Sequence, residues 1–343
     1  PNLTRYFTSV RFLHALPARQ ENGTLARSFR IPFSAFATDK TGSEVFDAAV
    51  GGLPKDTVPH FAPDCDPLEG WAFDSGGAGA ALDAAEVDVS TVFRTQINAE
   101  RLRAEDEHLF GYEEIAPIGR DGRPQAFATA VVIPDDGNGL ADEICCELAS
   151  ILPWIRLGKT SAAVRVRRVG NRAQQPSLEE RLEAYGKRPI VLTLATDALL
   201  PVDVSNITSS TNLRDLYDKA WKEVLNTLGY RCAEESFIED VFARQELRGG
   251  WAGHLGRKRN KYRTFFLTRA GSVFVTTVSA TSCPSDLQTA LATLEERGVP
   301  LADNDLNWSN CLFVPENGYG EVLVCSPWHI MRGAGQEDAG RAA

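Results

Sequence analysis

Apolar and polar positions alternate along some stretches of this chain and follow a helical period along others. From Arg5 to Pro17, Phe7, Ser9, Arg11 and Leu13 alternate with Tyr6, Thr8, Val10 and Phe12. That pattern predicts a strand, stopped by Pro17, which has no N–H to give to a ladder. The run from Phe127 to Pro134 predicts another strand. Leu140, Ile144, Leu148 and Ile151 then fall on one face of a helix. The run from Arg156 to Val169 reads as a loop followed by a basic strand. A Glu- and Arg-rich stretch from Arg172 to Tyr185, ended by Gly186, predicts a linker helix.

Beyond that linker the periods are clearer. Arg188 to Thr196 predicts a strand. Asn212 to Leu228 predicts a helix with Leu213, Leu216, Ala220, Val224 and Leu228 inward. Arg263 to Val278 gives two short strands around Ala270 and Gly271. Ser285 to Gly298 is a helix with Leu287, Leu291 and Leu294 inward, closed by its C-terminal glycine. A last strand follows Gly320. Strand, helix, two strands, helix, strand is the order of a split βαβ, or ferredoxin-like, unit. The tail of the first region, helix then loop then strand, repeats it faintly. The expected fold is α+β, with two ferredoxin-like, RRM-like domains over 1–171 and 172–343, glycine-rich loops and long insertions. The main insertion is the Gly-, Ala-, Asp- and Pro-rich stretch from Thr38 to Ala85. A ferredoxin-like sheet leaves one face open, which is a common RNA platform.

Composition narrows the class. The chain has 343 residues, 43% hydrophobic and 24% charged, as in an ordinary globular protein. The sequence holds no run of eighteen apolar residues and no secretory signal, so neither a membrane span nor export is expected. The chain opens on Pro1 and its one methionine is Met331. The first domain is therefore expected to lack its true start. Seven scattered cysteines, with no CxxC pair, predict a reducing, cytoplasmic setting. A net charge of −10 counts against a freestanding nucleic-acid binder, unless the cations are gathered in one place.

They are gathered in two places. Arg257, Lys258, Arg259, Lys261 and Arg263 put five cations into seven residues, with Tyr262 among them. Such a run can contact several phosphates while an aromatic stacks on a base, and it also suits a solvated hairpin tip. Arg156, Lys159, Thr160 and Ser161 offer cations, hydroxyls and a Gly158 backbone to a phosphate chain. The alternative there is that Arg165 and Arg167 merely form the solvent face of an edge strand. Asn317, Gly318, Tyr319 and Gly320 form a pliable entry to the last strand, suited either to a tight turn or to a loop against phosphates. The sequence has no GxSxG elbow, P-loop or HExxH pair, and its five histidines are isolated from one another. The run from Asp303 to Ser309 begins like a calcium loop, but Trp308 stands where a glycine is required. Catalytic residues, metal and cofactor are accordingly not predicted.

Five segments in order carry a family resemblance: VRFLHALP from Val10, RTQINAERLRAEDEHLFGYEEI from Arg94, GGWAGHLG from Gly249, RAGSVFVT from Arg269, and ENGYGEVLVCSPWH from Glu316. Together they resemble the RAMP superfamily of CRISPR-associated proteins, most closely the Csx-ten type of type III-D effector complexes. The resemblance implies a non-catalytic, RNA-binding subunit that caps the 5′ repeat-derived handle of guide RNA in antiviral defence. Its implied neighbours are the large signalling subunit and the backbone RAMP subunits, with target RNA engaged indirectly. Gly318, Tyr319 and Gly320 match the family's glycine-rich loop, and Trp251 and His254 of the third segment are implied RNA contacts. Two departures stand out: the first-domain loop lacks the second glycine group, and no zinc-binding N-terminal segment is matched. Two other roles stay open. One is an RNA-cleaving subunit, a target-RNA nuclease or guide-processing enzyme, with His108, Asp106 and His254 near candidate loops. The other is a protein-only scaffold.

Overall fold

The computed structural model describes residues 10–21, 24–37, 45–51, 70–73, 82–98, 103–133, 140–151, 154–157, 162–169, 176–203, 212–232, 235–249, 264–303, 305–307 and 310–332. It is a mixed α/β structure with several small antiparallel sheets. The largest has four strands, β1 (Pro189–Leu194), β2 (Ile238–Phe242), β3 (Val273–Ser279) and β4 (Val322–Val324), in the order β2-β3-β1-β4 with every pair antiparallel. Helix α1 (Leu213–Thr227) connects β1 to β2, and helix α2 (Ser285–Arg297) connects β3 to β4. Each helix thus bridges two parallel strands that leave room for a third between them, the split βαβ connectivity.

The core follows from register. Leu192 pairs with Phe274 and with Val324, and Leu194 with Val322, so these residues share one face. Tyr217 and Trp221 of α1 lie on that face, with ring centroids 5.0 and 5.2 Å from Phe274. Leu287, Ala290, Leu291 and Leu294 of α2 are buried in the same core. The α2 stripe is the one its spacing predicts. The α1 stripe is so in part. Ala220 and Val224 are buried as expected and Leu216 and Leu228 are half-buried, but Leu213 is exposed, and Tyr217, Trp221 and Leu225 are buried as well. The helix is turned so that its two large rings, with more apolar area than a leucine, go inward. Asp218 is carried inside by that turn. There it accepts hydrogen bonds from the backbone N–H groups of Phe237 and Ile238 and pairs with Lys222 Nζ at 2.7 Å.

The opposite face of the sheet is covered as well. Val191, Thr193, Val273 and Val275 share it, and all are buried. Ala49 of the helical turn Ala48–Gly51 joins the core cluster here. His329, within helical residues 327–332, is hydrogen-bonded through Nε2 to the Thr193 hydroxyl at 2.8 Å and through Nδ1 to the Asp47 carboxylate. All three side chains are buried, so each polar atom must find its partner inside the protein. The open RNA platform expected of this sheet is therefore closed at its centre. Residues 45–51 and the helical residues 327–332 lie over it.

The described residues of 1–171 do not assemble a comparable sheet. Their largest sheets have three strands each: Ala126–Ala128 with Leu16–Glu21 and Thr24–Arg27, and Phe29–Arg30 with Trp71–Phe73 and Asp83–Ala84. Four more have two strands each. The strand expected over Arg5–Pro17 is, among the described residues, only Arg11–Phe12, paired with Val131–Val132; after a break at 13–15 a separate strand, Leu16–Glu21, runs through Pro17. Pro17 uses only its carbonyl there, accepting from Ser28 N–H at 2.8 Å. The linker helix is shorter than its pattern, Leu178–Tyr185, because Ser177 caps it in a reciprocal capping box with Glu180. Among the described residues, no helix is long and apolar enough to cross a membrane.

Candidate nucleic-acid interface

The predicted contacts divide into three groups. Lys159, Thr160, Ser161, Trp251, His254, Arg257, Lys258, Arg259, Lys261 and Arg263 lie outside the described residues. Arg156 is exposed on the hairpin Trp154–Leu157/Ala162–Arg165. Asn317, Gly318, Tyr319 and Gly320 lie together at the entry to β4.

This last loop is built from inside. A single 3-10 turn, Pro315–Asn317, ends at Gly318, whose left-handed φ of 85° excludes most other residues. A Cβ at Gly318 would collide with the carbonyl oxygen of Phe12 and come within 2.9 Å of the His14 backbone nitrogen. The close backbone approach that the glycine permits is thus to the chain's own first described segment. The loop's donors are also spent within the protein. The N–H groups of Asn317 and Tyr319 donate to Val314, that of Gly318 to Pro315, and that of Gly320 to Asp197. Glu321 N–H donates to the Thr196 hydroxyl at 2.9 Å, and that hydroxyl donates to the Gly318 carbonyl at 2.8 Å. With every N–H from Asn317 to Glu321 engaged, the loop offers no backbone cradle for a phosphate. What remains available to a ligand is side chain: Asn317, exposed, with its Nδ2 donating to the Leu312 carbonyl at 3.0 Å, and Tyr319, half-buried.

Around Tyr319 the structure gathers residues that sequence spacing could not bring together. His14 meets it edge-on, with centroids 4.6 Å apart, and Phe313 flanks it at 5.2 Å, followed by Phe265 at 5.4 Å. Burial holds the His14 pKa below the ordinary imidazole value despite the opposing carboxylates of Asp197 and Glu321, so the ring is neutral near pH 7. Burial, and then Asp197, push the Tyr319 phenol up. Arg27 forms a half-buried ion pair with Glu321, at 3.2 and 3.3 Å to its two oxygens. Arg11, buried, donates to the carbonyls of Glu295 and Glu296 at the end of α2 and to that of Pro315. Burial pulls its pKa down, against Glu321 and Glu316. These cations are committed to holding the first segment against the loop. They are poor candidates for a free phosphate clamp.

Sequence reasoning missed two features here. His14 appeared as one more isolated histidine, because its partner lies three hundred residues away in the chain. Trp154 was overlooked although a signal existed: Trp154, Ile155 and Arg156 alternate, and so do Ala163, Val164 and Arg165. That period places the indole on the arginine side of a hairpin. Among the described residues, no group of three His, Cys, Asp or Glu side chains is placed to hold a metal ion. No protein-family model matches the chain, and no curated protein matches it.

Proposed function

We propose that the chain is a non-catalytic, RNA-binding subunit of a type III CRISPR ribonucleoprotein, of the RAMP superfamily, seated at the 5′ repeat-derived handle of the guide RNA. The observation that carries this reading is the four-stranded sheet. Its β2-β3-β1-β4 order and its two crossover helices are those of a ferredoxin-like domain, and its last strand is entered through the glycine loop that the resemblance singles out. Because the sheet's second face is covered, RNA contact falls to the edges. Tyr319 and Asn317 supply an aromatic and an amide. The ribbon Gln245–Gly249/Thr264–Thr268, through Phe265, adjoins the Tyr319 aromatic row. The residues joining its two strands include the five cations from Arg257 to Arg263. Binding of this kind is mostly to backbone and weakens steeply with salt.

The test is to purify the protein with the products of its genomic neighbours, sequence any bound RNA, and map crosslinks onto this chain. Short RNAs sharing a 5′ tag, crosslinked at Tyr319 or Lys258, are the expected result. Replacing Arg257, Lys258 and Arg259 together by Glu should abolish retention of that RNA. An RNA-bearing assembly with no crosslink to this chain would instead make it a scaffold.

One observation favours a second reading, metal-independent RNA cleavage. A neutral imidazole packed edge-on against a phenol, their ring centroids 4.6 Å apart, is a usable base and acid for attack by a 2′-hydroxyl. The candidates are then His14 and Tyr319 rather than His108, Asp106 or His254. Incubating repeat RNA with the parent chain and with His14→Ala decides it. Cleavage to 2′,3′-cyclic phosphate ends, lost in the variant, would replace the non-catalytic reading.

A further inference from the structure

The hairpin Trp154–Leu157/Ala162–Arg165 has two unlike faces. Ile155, Val164 and Val166 are half-buried. Trp154, Arg156, Ala163 and Arg165 are exposed, as is Arg167 two residues further on. The register sets Trp154 opposite Arg165 and Arg156 opposite Ala163, so these four share the outer face. Trp154 is 62% exposed. An indole on the water side of an amphipathic hairpin forgoes the apolar burial that an inward position gives, about 25 cal/mol for each Å². Neither Arg156 nor Arg165 has a carboxylate partner among the described residues, unlike Arg27, Arg181 and Arg19 elsewhere in the molecule. The face therefore combines a bare aromatic plane with two uncommitted guanidinium groups. Directly opposed side chains stand about 5 Å apart at Cβ, and Trp154 and Arg156 about 6.6 Å apart along the strand.

We propose that this face is a subsite for single-stranded RNA, with one base stacked on Trp154 and adjacent phosphates held by Arg156 and Arg165. The subsite rests on the RNA-binding reading above and extends it to a second place in the fold. Stacking fits the composition because every base offers a π face, and guanidinium groups hold phosphates without reading sequence. A duplex is a poor occupant, since its bases are already stacked on one another.

The experiment uses the full chain and a fluorescein-labelled oligouridylate, with anisotropy followed through a sodium chloride series. Trp154→Ala should weaken binding about tenfold, the effect of losing one base–aromatic stack, and Trp154→Phe should restore most of it. Arg156→Ala and Arg165→Ala should each flatten the slope of log K against log salt by about 0.7. All these side chains are exposed, so unchanged thermal melts should accompany the losses. Unchanged affinity in Trp154→Ala with unchanged slopes in the arginine variants would overturn the subsite. If such variants still crosslink RNA through Tyr319, the functional reading survives without it. Release of a co-purified protein by Trp154→Ala, with RNA binding intact, would overturn the subsite in favour of a protein contact. Failure of the parent chain to bind the oligonucleotide would overturn both.

Discussion

The four-stranded sheet and the long hairpin Val89–Asn98/Arg103–Ile115 are both antiparallel and both carry β-branched and aromatic side chains, yet they bury them very differently. In the sheet, Val191, Leu192, Val273 and Phe274 are each 0% exposed. In the hairpin, Val89, Phe93 and Ile115 are 54, 66 and 52% exposed, although Val89 pairs with Ile115 in good register. Strand residues supply the opportunity for burial, and the layers packed on them decide whether it is realised. The sheet has two helices on one face and residues 45–51 and 327–332 on the other. The hairpin has no third strand among the described residues, and a two-stranded ribbon alone is marginal in water.

The comparison is broken most forcefully at Trp221. Trp221→Ala should cost about 3–5 kcal/mol in chemical denaturation, because it empties the space between α1 and Phe274. A loss below about 1 kcal/mol would mean that this core is not the stabilising centre. Next is Gly318→Ala, which should cost on the order of 3 kcal/mol, combining left-handed strain with a collision against Phe12. Gly229→Ala is its control. Gly229 has a similar φ of 90° but open space around it, so strain alone remains, about 1–2 kcal/mol. Equal losses at the two glycines would show that the first segment does not rest on the β4 loop. A subtler handle is Asp218. Burial raises its pKa, but the hydrogen bonds from Lys222, Ile238 and Phe237 outweigh this and leave it below the ordinary carboxylate value. The unfolded chain therefore takes up that proton first. The stabilisation is complete above the ordinary carboxylate pKa and is lost as pH falls through the depressed native one. Stability measured across acid pH should fall less steeply in Asp218→Asn than in the parent, and parallel curves would remove Asp218 from the account. The smallest effect belongs to the hairpin: Phe93→Ala should change stability by no more than about 0.5 kcal/mol.

Local signals were legible wherever a residue's neighbours in sequence are also its neighbours in space. The α2 stripe of Leu287, Leu291 and Leu294 is of that kind; the Ser177–Glu180 capping box is equally local, yet the expected helix ran back to Arg172 past it. The face of α1 was legible in part: Ala220 and Val224 belong to a leucine stripe or an aromatic one alike, and only the sheet's demand for Trp221 against Phe274 turns Leu213 outward. The glycine loop was half legible. Positive φ at Gly318 follows from the sequence, but the object that approaches it, the Phe12–His14 backbone, lies three hundred residues earlier. The same distance hid His14 beside Tyr319. In the first region the short strands carry too little periodicity to fix their partners, and the expected second split βαβ unit has no counterpart among the described residues.

The buried chain from Asp47 through His329 to Thr193 has a consequence for synthesis. Asp47 and His329 are 282 residues apart in sequence, and neither has its partner until the final helical turn has been made. A ribosome delivers the first segments long before the sheet they cover exists, and domains otherwise tend to form in order of emergence. Residues 45–51 must therefore wait, with that carboxylate unpaired and their apolar surface unburied, while the 282-residue span to His329 is made. Closing so long a loop is slow. The cover over the sheet therefore falls into place after the sheet's own strands have been made, and a chaperone that shields the emerging first region would act during that wait.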